Sequence, residues 1–304
     1  MIARAPGKIV ISGAYAVLEG APAIVAAVDR YVVADGARSS AIVTEEVLAA
    51  MSVGVLDQVP WFDASGLRAR LPDGTSRKIG LGSSSAILVA SLGAAIAEQI
   101  PEEDKLRREI LPIALAAHRQ AQPGGSGIDV VASVRGEVTK CILRPDGAIK
   151  VEPFQLPAGL HLQVYACPTA SSTSKLLEQV RDLRKNNAAL YRSLMDSASA
   201  GSMSAATAAD AVSFVRALSL QTEALGTLGK LAKAPIVIDA VRELRAIAVD
   251  EEATFGPSGA GGGDIALWAG LGPPSETFRA RAAELRLEPL EMKIGARGLH
   301  IERG

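Results

Sequence analysis

The amino-acid sequence predicts an α+β protein built from two domains. Its 304 residues are about twice the ~150-residue length that is typical of one domain. Hydrophobic residues make up 48% of the chain and aromatic residues only 4%, so we expect a core packed mainly from aliphatic side chains. Strand patterns dominate the first half, whereas the second half runs through helices and returns to strands. We place the two domains at residues 1–155 and 156–304.

The first half begins with short buried strands. Ile9 to Ile11 is an apolar run that ends at a Ser-Gly turn, and Pro22 to Val28 has similar character. Residues 31–79 mix β-branched runs with turn residues, which indicates strands with inserted helices. Ser83 to Gln99 is apolar nearly all round, so it predicts a helix buried between other layers. Ile110 to Gln120 repeats that pattern.

Strand-like segments return after residue 137 and again near the end of the chain. They lie at Val138 to Leu143, Leu160 to Ala166, Ile265 to Ala269, Leu290 to Ile294 and Leu299 to Ile301. Between them, Leu176 to Leu194 carries apolar residues at helical spacing with charged residues between, which predicts one amphipathic helix. Two further helical stretches are expected at about 203–230 and 236–252.

Charge and composition exclude several classes of function. Lys and Arg total 32 against 33 Asp and Glu, so no overall field would hold the protein on nucleic acid or an anionic membrane. Ile79 to Ala97 is uncharged, but seven of its 19 residues are Gly or Ser, which argues against a membrane span. The amino terminus lacks the apolar region of a signal peptide. Cys141 and Cys167 have no CxxC spacing, so we expect free thiols in a cytoplasmic protein.

A loop rich in glycine and serine precedes the first buried helix. It reads Gly80-Leu81-Gly82-Ser83-Ser84-Ser85. Such a loop presents several backbone N–H groups and the positive end of a helix to an anion, and its glycines let a phosphate approach closely. It has neither the Gly-Lys-Ser/Thr ending of a Walker A loop nor the Rossmann spacing. The loop therefore has two alternative interpretations: it binds a phosphate, or one of its serines is an ordinary helix N-cap.

Two further glycine-rich turns each carry an acid. Gly125-Ser126-Gly127-Ile128-Asp129 places a carboxylate just after a flexible turn, where it either faces a substrate or caps a helix. Ser258-Gly259-Ala260-Gly261-Gly262-Gly263-Asp264 has four glycines in seven residues. Ordering so many glycines is entropically costly, which favours close approach of a ligand; a flexible surface loop is the alternative.

These three turns, in this order and after the opening Ala5-Pro6-Gly7-Lys8, resemble the motifs of the GHMP kinases. That family includes galactokinase, homoserine kinase, mevalonate kinase and phosphomevalonate kinase. The resemblance runs from residue 3 to about residue 270. It implies the GHMP kinase fold, in which a domain of the ribosomal-S5 domain-2-like type precedes a C-terminal α+β, ferredoxin-like domain, with ATP and substrate bound between them.

Within the family, the details are most similar to phosphomevalonate kinases. Residues 14–23 resemble the first motif of that group, and residues 117–122 resemble the start of its middle motif. Mevalonate kinases usually have Glu-His where this chain has Ala14-Tyr15. They also have a magnesium-binding Glu where this chain has His118, a position on an apolar helical face that favours a core histidine. The Ser/Thr-rich segment 169–174 resembles one that the mevalonate-pathway members share.

The resemblance implies a role for each motif. Six residues would bind the phosphates of ATP: Gly80, Leu81, Gly82, Ser83, Ser84 and Ser85. Ser84 would also be a ligand of Mg²⁺, so ATP and Mg²⁺ are the expected cofactors. Lys8 and Asp129 would form the catalytic pair. Seven residues would bind the substrate: Ser12, Tyr15, Ser126, Gly127, Gly259, Ala260 and Gly261.

The implied reaction is ATP-dependent phosphoryl transfer to (R)-5-phosphomevalonate, giving 5-diphosphomevalonate in isoprenoid synthesis. The substrate is therefore a small phosphate ester, with no nucleic-acid or membrane partner, and the protein would be a monomer or homodimer. Three alternatives stay open: a mevalonate kinase, another small-molecule kinase of the family, and a member that binds metabolites without catalysis. Lys8, Asp129 and the phosphate-loop serines are all present, which argues against the last alternative.

The acceptor decides what Asp129 would do. A hydroxyl acceptor must lose a proton, so Asp129 would act as a general base. A phosphate monoester has a second pKa near ~6 and is already mostly a dianion at pH 7, so no proton has to be removed. Lys8 and Asp129 would then orient and screen the two reacting groups. We expect one or two further basic residues at the acceptor, from the candidates Arg77, Lys78, Arg135, Lys140 and Lys175.

Overall fold

A computed structural model gives the structure of the protein. It describes residues 1–52, 54–70, 76–169 and 172–302. The strands are β1 (Ile2–Ser12), β2 (Ala23–Ser39), β3 (Pro60–Asp63), β4 (Arg68–Arg70), β5 (Ser76–Lys78), β6 (Val138–Leu143), β7 (Ile149–Pro153), β8 (His161–Ala166), β9 (Thr254–Pro257), β10 (Ile265–Gly270), β11 (Glu288–Leu290) and β12 (His300–Glu302).

Helices fill the intervals between these strands. They are α1 (Glu45–Ser52), α2 (Ser83–Ile96), α3 (Glu103–Ala121), α4 (Ile128–Arg135), α5 (Thr173–Asn186), α6 (Ala188–Ala206), α7 (Ala211–Ala232), α8 (Asp239–Asp250) and α9 (Glu276–Glu284). Short 3₁₀ turns lie at Ala16–Glu19 and Ser65–Leu67. Among the described residues, no helix has both the length and the apolar character that a membrane span requires.

The strands form two main sheets, so the α+β prediction is confirmed. The larger sheet has the order β12-β1-β2-β6-β7, with β3 paired to β2. Its β1 and β12 are antiparallel, with Ile2 opposite Glu302. The smaller sheet has the order β11-β8-β10-β9, and β10 runs antiparallel to both neighbours, with Ile265 opposite Ala166. A separate two-stranded sheet joins β4 and β5.

The chain divides into two compact units, and neither is continuous in sequence. The first comprises Met1–Ile9, Val25–Thr139 and Met292–Gly304, and the second comprises Val10–Ile24 and Lys140–Glu291. These units differ from the domains 1–155 and 156–304 that the sequence suggests. The difference arises because β12 pairs with β1, which brings the carboxyl-terminal residues into the first unit. Local residue patterns do not reveal such a distant pairing.

In the first unit, α2 is the buried helix that the sequence predicts. Its residues are buried almost without interruption from Ser83 to Ala94, and it packs against α1, α3, α4 and β3. Gly36 on β2 permits this close packing, since a Cβ there would lie 2.4 Å from the Ala94 carbonyl oxygen. The helix is therefore held on several sides, which fixes the loop at its amino terminus.

In the second unit, helices cover the smaller sheet. The helices α7 and α8 both contact β9, and α6 packs along α7. Edge-to-face contacts join Tyr165, Phe255, Phe278 and Trp268, with ring centroids 4.7 Å apart for the Trp268–Phe278 pair. Such pairs contribute about 0.5–1.5 kcal/mol each beyond the area they bury. This cluster stabilises the β9–β10 hairpin, whose connection is the third glycine-rich turn.

Three predicted elements have different bounds in the structure. The helix expected at about 203–230 corresponds to α7, which begins only at Ala211, because residues 203–206 belong to α6. The single helix expected over residues 176–194 is wrong: the chain breaks at Asn187, whose side chain accepts a hydrogen bond from the Leu190 N–H and caps α6. Asn at this position competes for backbone groups and favours a helix start. The strand expected over 290–294 is also wrong, since β11 (Glu288–Leu290) shares only Leu290 with it and Ile294 forms an isolated bridge with Val28.

Candidate functional site

The first unit brings the two predicted catalytic residues together. Lys8 lies on β1 and Asp129 lies in the first turn of α4, and the Lys8 Nζ is 3.4 Å from the Asp129 Oδ2. The Lys8 side chain is only 7% exposed, whereas that of Asp129 is 33% exposed. A buried ammonium requires a partner, and the carboxylate provides it. The pair therefore presents a half-exposed acid beside a buried cation.

The phosphate loop lies against the Lys8 side chain. The Lys8 N–H donates a hydrogen bond to the Leu81 carbonyl oxygen at 2.9 Å. Gly82 has a φ of +73°, and a Cβ at that position would lie 3.0 Å from both Cγ and Cε of Lys8. A side chain at residue 82 would therefore press on the lysine stem, so glycine suits both the backbone conformation and the space.

The amino terminus of α2 is open for an anion. The N-cap residue of α2 is Gly82, which has no side chain to accept from the first N–H groups, so the alternative of an ordinary serine cap is excluded. Ser83 and Ser85 are buried, and Ser84 is half-buried. The free N–H groups and the helix dipole together attract negative charge. A helix terminus without a side-chain cap is suited to bind an anion such as phosphate.

The Asp129 turn is also built around glycine. Gly127 is the N-cap of α4 with a φ of +76°, and Asp129 follows in the first helical turn, where the dipole favours a carboxylate. Ser126 beside it is half-buried. The Ser133 hydroxyl of α4 donates to the Pro6 carbonyl oxygen at 2.9 Å, which ties α4 to β1. The spacing between Lys8 and Asp129 is therefore set by rigid elements.

His118 is a buried residue behind this turn. It is 4% exposed, and its Nδ1 is buried with no hydrogen-bond partner among the described residues. A Cβ at Gly125 would lie 3.0 Å from its Nε2, so the ring packs directly against the turn. Across the described chain, no group of three or more His, Cys, Asp or Glu could hold a metal ion. The serine hydroxyls of the α2 terminus are oxygen donors of the kind that Mg²⁺ accepts.

The second unit contains the turn that follows β1. Gly13 has a φ of +90°, and a Cβ there would lie 2.4 Å from the Ala23 Cα, so only glycine fits. Tyr15 also has a positive φ, of 60°, which is strained for a residue with a side chain. Its Oη donates to the Ala260 carbonyl oxygen at 2.8 Å. Two of the predicted substrate-binding residues, Tyr15 and Ala260, are therefore in direct contact.

Burial raises the pKa of Tyr15 well above its ordinary value near 10. The folded state therefore keeps the phenol protonated. Above pH 10 only the unfolded chain ionises this tyrosine, so the free energy of unfolding falls as pH rises above 10 and is unaffected by this group below it. Tyr15→Phe is expected to unfold about 1 kcal/mol more easily at pH 7, through the lost hydrogen bond. Phenylalanine does not ionise, so the difference in free energy of unfolding between the variant and the unchanged protein should narrow by roughly 1 kcal/mol between pH 9 and 11. Urea unfolding of both proteins at pH 9 and 11 measures this difference, and a difference that stays the same at both pH values would contradict the prediction.

The third glycine-rich turn is packed inside the second unit. Gly259, Gly261, Gly262 and Gly263 all have positive φ, between 80° and 94°. A Cβ at Gly261 would lie 2.1 Å from the Ile236 carbonyl oxygen, and one at Gly263 would lie 2.1 Å from the Thr169 Oγ1. Residues 261–263 are buried, so the flexible surface loop is excluded. The glycines are required by close backbone approach.

Gln221 is a buried polar residue that the sequence interpretation missed. It lies on α7, is 4% exposed, and its Oε1 accepts a hydrogen bond from the Gly13 N–H at 3.1 Å. Its Nε2 and the Ser12 Oγ are both buried without a partner among the described residues. A signal was present, because Gln221 interrupts the otherwise apolar stripe of α7 that includes Leu218 and Leu225. Gln221 supports the turn that carries Ser12 and Tyr15.

The candidate basic residues have different surroundings. Lys140 forms a 2.8 Å ion pair with Glu152, so its charge is already matched within the fold. Arg77 is half-buried, and its Nη1 has no partner among the described residues. The other three, Lys78, Arg135 and Lys175, are exposed. Residues 170 and 171 of the Ser/Thr-rich segment lie outside the described residues.

Part of the first unit matches a family of known proteins. Residues 44–137 match the family model described as "GHMP kinases N terminal domain". The chain therefore contains a GHMP kinase N-terminal domain match, and it has the GHMP kinase fold.

Its most informative relatives are two enzymes and one solved structure. A mevalonate kinase from Archaeoglobus fulgidus is 26% identical over 278 residues, which cover 86% of this chain and 90% of that protein. A phosphomevalonate kinase from Streptomyces sp. is 25% identical over 339 residues, covering 88% of this chain and 89% of that one. The structure of Streptococcus pneumoniae phosphomevalonate kinase in complex with phosphomevalonate and AMPPNP has a TM-score of 0.74 and 18% identity, covering 97% and 99% of the two chains.

Proposed function

We propose that the protein transfers the γ-phosphoryl group of MgATP to (R)-5-phosphomevalonate. The observation that carries this proposal is the Lys8–Asp129 pair, which lies beside a glycine loop at an uncapped helix terminus. The Streptomyces phosphomevalonate kinase and the fold of the Streptococcus pneumoniae enzyme support the choice of acceptor. Tyr15 and His118, at positions where mevalonate kinases usually have other residues, favour it as well.

The α2 terminus binds the phosphates of ATP in this proposal. Backbone N–H groups of Gly80 to Ser85 donate to the phosphate oxygens, and the helix dipole adds attraction. Mg²⁺ enters as part of the substrate MgATP and neutralises charge on the phosphates. Ser84 is the half-buried hydroxyl of the first helical turn and is the proposed protein ligand of the ion. Water molecules and phosphate oxygens would supply the remaining ligands of the ion, which Mg²⁺ readily accepts.

Lys8 and Asp129 act on the approach of two anions. The acceptor phosphate is a dianion at pH 7, so one of its oxygens attacks the γ-phosphorus without prior loss of a proton. A bond forms from that oxygen to phosphorus, and the bond to the bridging oxygen of ADP breaks. The Lys8 ammonium screens the repulsion between the two groups. Asp129 holds the ammonium in place by the 3.4 Å contact.

Residues proposed for the acceptor are found in both units. In the first unit, Ser126 and Gly127 precede Asp129, and we propose that their backbone N–H groups donate to an anionic group. In the second unit, Tyr15 and Ser12 lie on the turn after β1, and Tyr15 is hydrogen-bonded to the third glycine turn at Ala260. Gly259 and Gly261 of that turn are the other residues proposed for the acceptor. Neutral Tyr15 is suited to hydrogen bonding rather than to acid–base chemistry.

Mevalonate is the second candidate acceptor. The Archaeoglobus fulgidus mevalonate kinase is as similar in identity as the phosphomevalonate kinase. The half-exposed Asp129 carboxylate would then accept the hydroxyl proton as a general base. The same two side chains serve either acceptor, so the substrate has to be tested directly.

ADP release with MgATP decides between the acceptors. We would compare 5-phosphomevalonate, mevalonate, galactose and homoserine at matched concentrations with the purified protein. A strong preference for 5-phosphomevalonate is the expected result. A preference for mevalonate would overturn the proposed acceptor, and inactivity with all four would contradict the whole proposal.

Asp129→Asn is expected to separate the two chemical roles. With a phosphate acceptor, kcat should fall by about tenfold, because the variant weakens the orientation of Lys8 but removes no needed base. With a hydroxyl acceptor, general-base loss should lower kcat by roughly 10²–10⁴-fold. The exposed Asp196→Asn on α6 is the matched control and should leave kcat unchanged. A fall above 10²-fold with 5-phosphomevalonate would contradict the proposed role of Asp129.

A further inference from the structure

A groove in the second unit shares no residue with the proposed substrate sites. It lies between the C-terminal half of α7 and the start of α8, and its volume is about 870 Å³. Small-molecule sites commonly occupy about 300–1,000 Å³. The connection between the two helices, which includes Pro235, Val237 and Ile238, forms an apolar part of its wall. The groove is therefore large enough for a metabolite with an apolar portion.

The groove has an excess of positive charge. Four cationic side chains line it, from Lys230, Lys233, Arg242 and Arg245, against two acidic ones, from Glu223 and Asp239. Asp239 pairs with Arg242, and Glu223 approaches Arg245 only to 3.9 Å. Lys230 and Lys233 are exposed and form no ion pair within the described part of the chain. This charge is complementary to an anionic ligand.

Arg245 is the least exposed cation of the groove. Its side chain is 25% exposed, and its Nη2 donates to the carbonyl oxygen and the hydroxyl of Ser219 at 3.3 and 3.2 Å. Its Nε is buried and has no acceptor among the described residues. An unsatisfied buried donor is costly, and guanidinium groups bind phosphate especially well. The guanidinium is therefore held in position with part of its hydrogen-bonding capacity unused.

Gly226 keeps the floor of the groove open. It lies inside α7, where glycine is about 0.5–1 kcal/mol less favourable than alanine. Its φ is not in the left-handed region, and a Cβ would meet nothing nearer than the Val237 Cγ2 at 3.9 Å. Gly229, one turn on, is different, since a Cβ there would lie 2.7 Å from the Ala234 carbonyl oxygen. Packing within the protein explains why residue 229 is glycine, but it gives no steric reason for glycine at residue 226.

We propose that this groove binds a phosphorylated small molecule. Its phosphate lies over Gly226 and contacts Lys230, Lys233 and Arg245, and its organic portion lies against Val237. The site goes beyond the proposed function, because its lining includes none of the residues proposed for ATP or the acceptor. It adjoins the third glycine turn without using it, since the Ile236 carbonyl oxygen accepts from the Gly262 N–H at 3.1 Å.

Pyrophosphate is the probe for this site. Isothermal titration would be carried out on the full chain after saturation with AMPPNP, so that the phosphate loop is occupied. We expect remaining pyrophosphate binding, weakened at least tenfold by Lys230→Met with Lys233→Met. The double variant Lys105→Met with Lys185→Met removes two exposed lysines elsewhere and should bind like the unchanged protein. Absence of binding after AMPPNP saturation, or equal weakening in both double variants, would overturn the proposal.

Gly226 provides a second test that does not change charge. Gly226→Leu should fill the floor and weaken pyrophosphate binding by about tenfold, whereas Gly226→Ala should bind normally and raise the Tm. Unchanged affinity in Gly226→Leu, with a cooperative melting transition, would also overturn the proposal. These binding measurements need no turnover. The proposed acceptor can therefore be wrong while binding in the groove is confirmed, and the groove proposal can be wrong while the acceptor is confirmed.

Discussion

Lys8→Met is expected to lower kcat for phosphoryl transfer by roughly 10²–10³-fold, the loss typical when one preorganised charge-stabilising group is removed. The lysine is 6% exposed and lies within 3.4 Å of Asp129, so its ammonium acts in a poorly solvated position. Methionine preserves most of the side-chain volume against Gly82 and removes only the charge. The KM for ATP should change much less, because the backbone N–H groups of the phosphate loop remain.

Steady-state rates and a melting curve test this prediction together. Lys105→Met, an exposed residue on α3, is the matched control and should keep its full rate. Lys8→Arg should be little more active than Lys8→Met, since a planar guanidinium does not fit beside Gly82 as an ammonium does. If Lys8→Met retained a rate within threefold of the unchanged protein, with normal AMPPNP binding, Lys8 would not be catalytic.

Gly261→Ala is expected to lower the free energy of unfolding by roughly 3 kcal/mol, because two separate costs combine. The backbone φ of +80° disfavours a side chain, and the added Cβ would lie 2.1 Å from the Ile236 carbonyl oxygen. That oxygen belongs to the backbone and cannot rotate away. Relief requires movement of the third glycine turn, and Ala260 in that turn accepts the Tyr15 hydrogen bond. Activity should therefore fall together with stability.

Chemical unfolding and acceptor KM measure the two consequences. Gly272→Ala is the control within the same unit, since nothing lies within 4 Å of a Cβ there and its φ is not left-handed. It should change stability by less than about 0.5 kcal/mol, as most surface substitutions do. Equal stability of the Gly261 and Gly272 variants would contradict the packing of the turn.

Local sequence chemistry determined much of the candidate site. Each of the three turns has glycine where the structure requires positive φ, as at Gly82, Gly127 and Gly261. That requirement is a property of the residue itself, so it is visible without a fold. The buried α2 was predicted for a similar reason, because its all-round apolar pattern suits a helix covered on every side. The motifs and their order also indicated the GHMP kinase fold.

Helix boundaries were less predictable than helix identity. A continuous amphipathic pattern over residues 176–194 concealed the break at Asn187, since apolar spacing persists through it. The cap depends on one side-chain hydrogen bond to the Leu190 N–H, a choice that competes closely with continuing the helix. The predicted pattern was correct, but the local competition decided where each helix begins.

Only the tertiary structure decided which distant groups meet. Gln221 and Gly13 are 208 residues apart in the chain, yet one hydrogen bond joins them. Arg4 and Glu302, 298 residues apart, lie on paired strands, which places the carboxyl terminus in the first unit. Residue patterns report which face of an element is buried, but they do not identify the partner against it. That partner is selected by packing and backbone pairing over the whole chain, because many distant segments offer equally apolar faces.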